Sequence, residues 1–69
     1  MSQPMPKVMY HFLKNLHELG YPVHVAGASP TSYLRYGLME IGPDGQYRVT
    51  ERGIERLEQE EVRRGKKAG

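Results

Sequence analysis

The three histidines, His11, His17 and His24, are the side chains best suited to binding a metal or moving a proton, and their spacing argues against both. His11 and His17 stand six residues apart, which puts them on different faces of a helix, whereas metal ligands must converge. No cysteine is present, so the chain has no thiolate ligand, no disulfide and no cysteine nucleophile. It also lacks a nucleophile beside a base, a glycine-rich phosphate loop and paired carboxylates across a cleft. The expectation is a protein with no catalytic activity, no metal and no cofactor.

What remains is the chemistry of recognition. Tyr10, Tyr21, Tyr33, Tyr36 and Tyr47 are many for 69 residues, and Phe12 is the other aromatic. Tyrosines can stack on bases, line a protein interface, or anchor a core while their hydroxyls stay wet. Tyr36 and Tyr47 are the expected core anchors. Ten basic residues face eight acidic ones, a net charge of +2, so any basic footprint must be local. Glu51, Glu55, Glu58, Glu60 and Glu61 crowd one segment, and Arg63, Arg64, Lys66 and Lys67 follow it. That basic terminus suits either nonspecific phosphate contacts or solubility.

These side chains have to be positioned by a small fold. One domain of this length sits near the limit at which a single core suffices, so dimerisation or docking on a partner is expected. Residues 1–6 read as an arm, residues 7–63 as the folded domain and residues 64–69 as a basic tail. No internal repeat is evident. No apolar run approaches the roughly 20 residues needed to cross a bilayer, and residues 1–6 lack a signal-peptide pattern. The expected location is the cytoplasm, without membrane association.

Val8, Met9, Phe12, Leu13, Leu16 and Leu19 recur at spacings of three and four, predicting an amphipathic helix over 6–19. Gly20 and Pro22 end it. Tyr21-Pro22-Val23-His24-Val25-Ala26 alternates in the manner of a short edge strand, with Pro22 restricting it to an edge. Ser29 is the expected N-cap and Pro30 the first residue of a short helix over 30–36, closed by Gly37. Leu38 to Ile41 and Tyr47 to Val49 then read as a hairpin around Gly42-Pro43-Asp44-Gly45-Gln46, with glycine supplying positive φ. Thr50 caps a last helix that begins near Glu51 and carries Ile54, Leu57 and Val62 on an apolar stripe. Arg56 and Glu60, and Glu60 and Arg64, are spaced for helix-surface pairs. The second half of that helix is expected to be solvent-exposed or turned to a partner.

The block Gly37-Leu38-Met39, Asp44-Gly45-Gln46-Tyr47-Arg48-Val49-Thr50-Glu51-Arg52-Gly53 and Leu57 resembles the wing and following helix of winged helix-turn-helix transcriptional regulators of the MarR-like and PadR-like kind. The resemblance covers roughly a third of the chain. It implies an α+β, winged-helix-like domain in the order helix, short strand, short helix, β-hairpin, helix. The chain departs from the family between Gly20 and Gly37, where residues 21–36, sixteen in all, leave no room for the usual helix-turn-helix elements.

That resemblance implies a regulator that binds double-stranded DNA, as a homodimer whose first and last helices share the interface. Ser29, Thr31, Ser32 and Arg35 would lie along the helix that approaches the major groove, hydroxyls on phosphate and Arg35 on a base edge. Gln46 and Arg48 would flank the wing tip, opposed by the charge of Asp44, and Lys14 would add electrostatic positioning. Each has a plainer role open to it: capping, turn formation or a solvated surface charge. The competing reading is a non-enzymatic interaction module, a small inhibitor or adaptor of the sort encoded by mobile elements, that binds a protein. If Lys14, Arg35 and Arg48 line one face spanned by the short helix and wing, DNA gains; if they scatter around exposed tyrosines and Met39, the protein partner gains.

Overall fold

The apolar repeat from Val8 to Leu19 forms α1, Lys7–Leu19, the first element of a computed structural model that describes residues 5–65. The first helical bond runs from the Tyr10 amide to the Pro6 carbonyl at 2.9 Å, so Pro6 stands just before the helix rather than within it. At the other end Gly20 adopts φ +84° and its amide donates to the Leu16 carbonyl at 2.9 Å, the left-handed closure that glycine makes at no steric cost.

The segment that follows corrects one expectation. Residues 21–26 form no strand; Val25 accepts a bond from the Ala28 amide at 3.0 Å, and the chain turns through Gly27 at φ +86°. Pro22 has no amide hydrogen, and the Val25 carbonyl is spent on this turn instead of a ladder. The chain then enters α2, Pro30–Arg35, a six-residue helix. Ser29 occupies the cap position, yet its side chain caps nothing: its Oγ lies 3.0 Å from Ser32 Oγ. The end of α2 is closed by a paired motif, Leu38 N to Tyr33 O and Gly37 N to Leu34 O, both at 3.1 Å, with Gly37 at φ +78°.

Two strands, β1 (Met39–Ile41) and β2 (Tyr47–Val49), pair antiparallel with Met39 opposite Val49, Glu40 opposite Arg48 and Ile41 opposite Tyr47. Pro43 and Asp44 make the turn, the Asp44 carboxylate accepts from the Gln46 amide at 3.0 Å, and Gly45 takes φ +80°. The last helix, α3, spans Glu51–Arg63. Its cap is Thr50, whose Oγ1 accepts from the Gly53 amide at 3.1 Å. The same hydroxyl donates to the Gly37 carbonyl at 2.6 Å, and the Thr50 amide donates to the Leu38 carbonyl at 3.0 Å.

The result is a small α+β unit, consistent with the winged-helix-like order although without the extra strand: among the described residues, three helices and one two-stranded hairpin. Its core is Met5, Tyr10, Phe12, Leu13, Leu16, Tyr33, Leu38, Met39 and Leu57. Burying side chains of this size contributes about 1.5–3 kcal/mol each. Phe12 meets Tyr33 with ring centroids 5.7 Å apart, which fixes α2 on α1. Of the expected tyrosine anchors Tyr47 is half-buried, but Tyr36 is 54% exposed, and Tyr10 and Tyr33 take the interior places instead. Val62 likewise leaves the apolar stripe and is 60% exposed.

In the second half of α3 Glu58, Gln59, Val62 and Arg63 are exposed as expected, while Glu60 and Glu61 turn inward. Glu60 is buried at 4% exposure, accepting from the Met5 amide at 3.0 Å and from Arg64 Nε at 2.8 Å, with Arg63 Nε at 3.5 Å. The hydrogen bond from Met5 holds its carboxyl below the usual carboxylate range, with Arg64 reinforcing it. Glu61 accepts from Tyr10 Oη at 3.2 Å and from Lys14 Nζ. Met5, placed in the arm by sequence, therefore belongs to the packed unit. Among the described residues no helix is long and apolar enough to cross a membrane.

Candidate functional site

The seven residues expected to meet DNA fall into three separate settings. Ser29, Thr31, Ser32 and Arg35 share α2, with Ser29, Thr31 and Arg35 exposed and Ser32 half-buried. This face carries no acidic side chain. It is the part of the predicted site that the fold keeps together.

The hairpin is different. Arg48 Nε donates to Glu40 Oε2 at 3.0 Å across the strands, and its guanidinium lies over Gly42, where an added Cβ would come within 3.3 Å of Cζ. Asp44 Oδ1 would approach the same point to 3.1 Å. One arginine thus sits among two carboxylates, and the hairpin surface is not electropositive. Gln46 is exposed at the tip, its backbone N–H donating to the Asp44 carboxylate. Arg48, expected to flank the wing tip, is paired across the strands with Glu40, and both side chains stay more than half exposed.

Lys14 is drawn the other way. Its ammonium bonds Glu61 on α3 and lies 3.1 Å from Glu18 on its own helix, and the Glu61 hydrogen bond raises its pKa above the ordinary lysine value. Tyr10 lies beneath this pair, its phenol pushed up in pKa chiefly by burial, and Arg64 Cζ stands 4.3 Å from its ring centroid. Lys14 is therefore part of the polar seam that joins α1 to α3. Arg63 and Arg64 of the basic segment are held by Glu60. Lys66 and Lys67 of the tail lie outside the described residues, as do residues 1–4 of the arm.

Arg35 instead has company that the sequence reading missed. It lines an open cleft of about 690 Å³ together with Arg52 and Arg56 of α3, over Met9, Tyr36 and Leu38. The close approach of α3 to the α2 end explains the meeting. A Cβ on Gly53 would lie 2.1 Å from the Leu38 carbonyl oxygen and 2.6 Å from Val49 Cγ1, so only glycine lets the helix come this near. Arg52, one residue earlier, is thereby laid beside Gly37, where a Cβ would be 3.9 Å from its Cδ. Among the described residues neither Arg35 nor Arg52 has a carboxylate partner. The legible signal was the pair Arg52 and Arg56, one helical turn apart, next to a glycine inside a helix. Such a glycine marks close packing.

Guanidinium groups such as those of Arg35 and Arg52 attract phosphates or carboxylates, bidentately where geometry allows. Among the described residues no three His, Asp or Glu side chains gather in a way that could hold a metal ion. The comparisons add no relative. No family model matches the chain, and neither the curated proteins nor the solved structures contain a significant match. The chemistry of the cleft and of α2 must carry the functional argument.

Proposed function

We propose that this chain is a small, non-enzymatic DNA-binding transcriptional regulator of the winged-helix type, acting in the cytoplasm on double-stranded DNA as a homodimer. One observation carries the reading: Arg35, Arg52 and Arg56 line one cleft at the end of α2, the helix on which Thr31 is exposed. In this account Arg52 and Arg56 hold phosphates, while Thr31, Ser32 and Arg35 face the groove and Ser29 and Gln46 flank it. Lys14 and Arg48, each held by a carboxylate, serve the fold rather than the DNA. The exposed Leu19, Tyr21 and Val62 at the ends of α1 and α3 are available to a dimer contact. The test is a fluorescence anisotropy titration against mixed genomic duplex from about 50 mM salt upward, where nonspecific binding is strongest at the low end. Absence of binding at the lowest salt removes the reading.

A second reading is favoured by the same cleft. Predicted basic residues that scatter, as Lys14 and Arg48 do from Arg35, suit a protein-interaction module, a small inhibitor or adaptor. An affinity capture from host lysate with and without nuclease separates the two, since a protein partner survives nuclease treatment.

A further inference from the structure

The arginine cleft has a property that a DNA backbone leaves unused. Its basic side chains stand over an apolar floor made by Met9 and by the ring of Tyr36, which is 54% exposed beside Leu38. A phosphodiester can satisfy Arg35 and Arg52 but brings little apolar surface to cover that ring. An acidic peptide with a large apolar side chain between its carboxylates satisfies both. Its carboxylates meet the guanidinium groups, its backbone runs along the open cleft, and its apolar side chain lies on Tyr36 and Met9.

We propose that the cleft between α2 and α3 is a docking site for an acidic segment of a partner protein, anchored by an aromatic or aliphatic residue flanked by Asp or Glu. This deepens the second reading above and rests on it. The charge argument stands on Arg35 and Arg52, which have no carboxylate partner among the described residues. Because Arg35 also belongs to the α2 face, a docked segment and a bound duplex compete for it. The partner thereby becomes an antagonist of DNA binding wherever both occur.

The experiment uses the full chain and a fluorescein-labelled synthetic peptide that carries a phenylalanine between aspartate pairs, with a serine-for-phenylalanine peptide as control. Binding is read by anisotropy and located by amide chemical-shift perturbation. The expected result is saturable binding that perturbs Tyr36, Gly37 and Leu38. It weakens at least about fivefold on Arg52→Gln and about fivefold with the serine peptide, while Arg48→Gln leaves it within about twofold. Circular dichroism checks that the exposed Arg52→Gln and Arg48→Gln variants remain folded. Binding that ignores the serine replacement and falls equally with Arg48→Gln is general charge attraction and overturns the proposal. Perturbation of the same amides by raising protein concentration alone means a second copy fills the cleft, and overturns it too. A duplex titration run in parallel keeps the readings apart: duplex binding without peptide binding sinks this proposal alone, and peptide binding without duplex binding sinks the DNA reading alone.

Discussion

The Thr50 hydroxyl donates to the Gly37 carbonyl at 2.6 Å, joining the start of α3 to the end of α2. The same oxygen accepts from Gly53 at 3.1 Å and so caps the helix it precedes. One side chain fixes the angle at which α3 leaves the hairpin, and with it the distance of Arg52 from Arg35. Replacing Thr50 by Val keeps the shape and leaves a carbonyl and an amide without their partner. The expected cost is about 1–3 kcal/mol in urea unfolding, against less than about 1 kcal/mol for Thr50→Ser, which keeps the hydroxyl. Equal effects of the two substitutions would contradict the bonded role.

Gly53 is the second half of that joint. Alanine is the better helix former by about 1 kcal/mol, so Gly53→Ala should stabilise an unconstrained helix. Here the new methyl would lie 2.1 Å from the Leu38 carbonyl oxygen, and α3 must move away. The expected outcome is destabilisation by about 2–4 kcal/mol or failure to fold cooperatively, read by thermal melting. A melting temperature at or above that of the parent chain contradicts the packing described.

The buried Glu60 makes stability depend on acid. Its carboxyl is held below the usual range when folded, so the unfolded chain takes up the proton at higher pH than the folded one. Its contribution is fully present above the ordinary glutamate value of about 4.3 and is lost as pH falls below that toward the folded value. Glu60→Gln should therefore lower the melting temperature at neutral pH and flatten the fall between about pH 5 and pH 3. Parallel curves for the two proteins across that range would contradict the linkage to Met5 and Arg64.

Local chemistry made much of this fold legible in the sequence. Gly20 and Pro22 end α1, Pro43 to Gly45 turn the hairpin and Thr50 starts α3, because each is a preference written in one or two neighbouring residues. Burial of Glu60 depended on Met5, 55 residues away, and no periodicity reveals a partner at that distance. The strand expected over 21–26 failed for a related reason: alternation describes a face, while pairing needs a free amide and a free carbonyl at the right place. Within the candidate site, α2 was readable and its hydroxyls were found. Arg52 and Arg56 were overlooked because they belong to another helix, and only the close approach permitted by Gly53 brings them to Arg35.

Partly buried Lys14 should behave as a residue of the fold. Lys14→Gln removes the ammonium that Glu61 and Glu18 share. The expected loss is about 1 kcal/mol of stability with duplex affinity at low salt unchanged within about twofold. A variant that unfolds at the parent's midpoint yet loses affinity tenfold, taking about 1.4 kcal/mol as tenfold, would return Lys14 to the DNA surface.

The central claim, that the arginines of the cleft rather than those of the hairpin hold duplex phosphates, is tested most directly by salt dependence. Two phosphate-binding arginines per chain, Arg52 and Arg56, predict a log–log slope of binding against salt of about −1.8, from about −0.9 for each contact. Arg52→Gln should make that slope shallower by about 1, while Arg48→Gln leaves it unchanged. A slope that shifts with Arg48→Gln and is indifferent to Arg52→Gln would contradict the account.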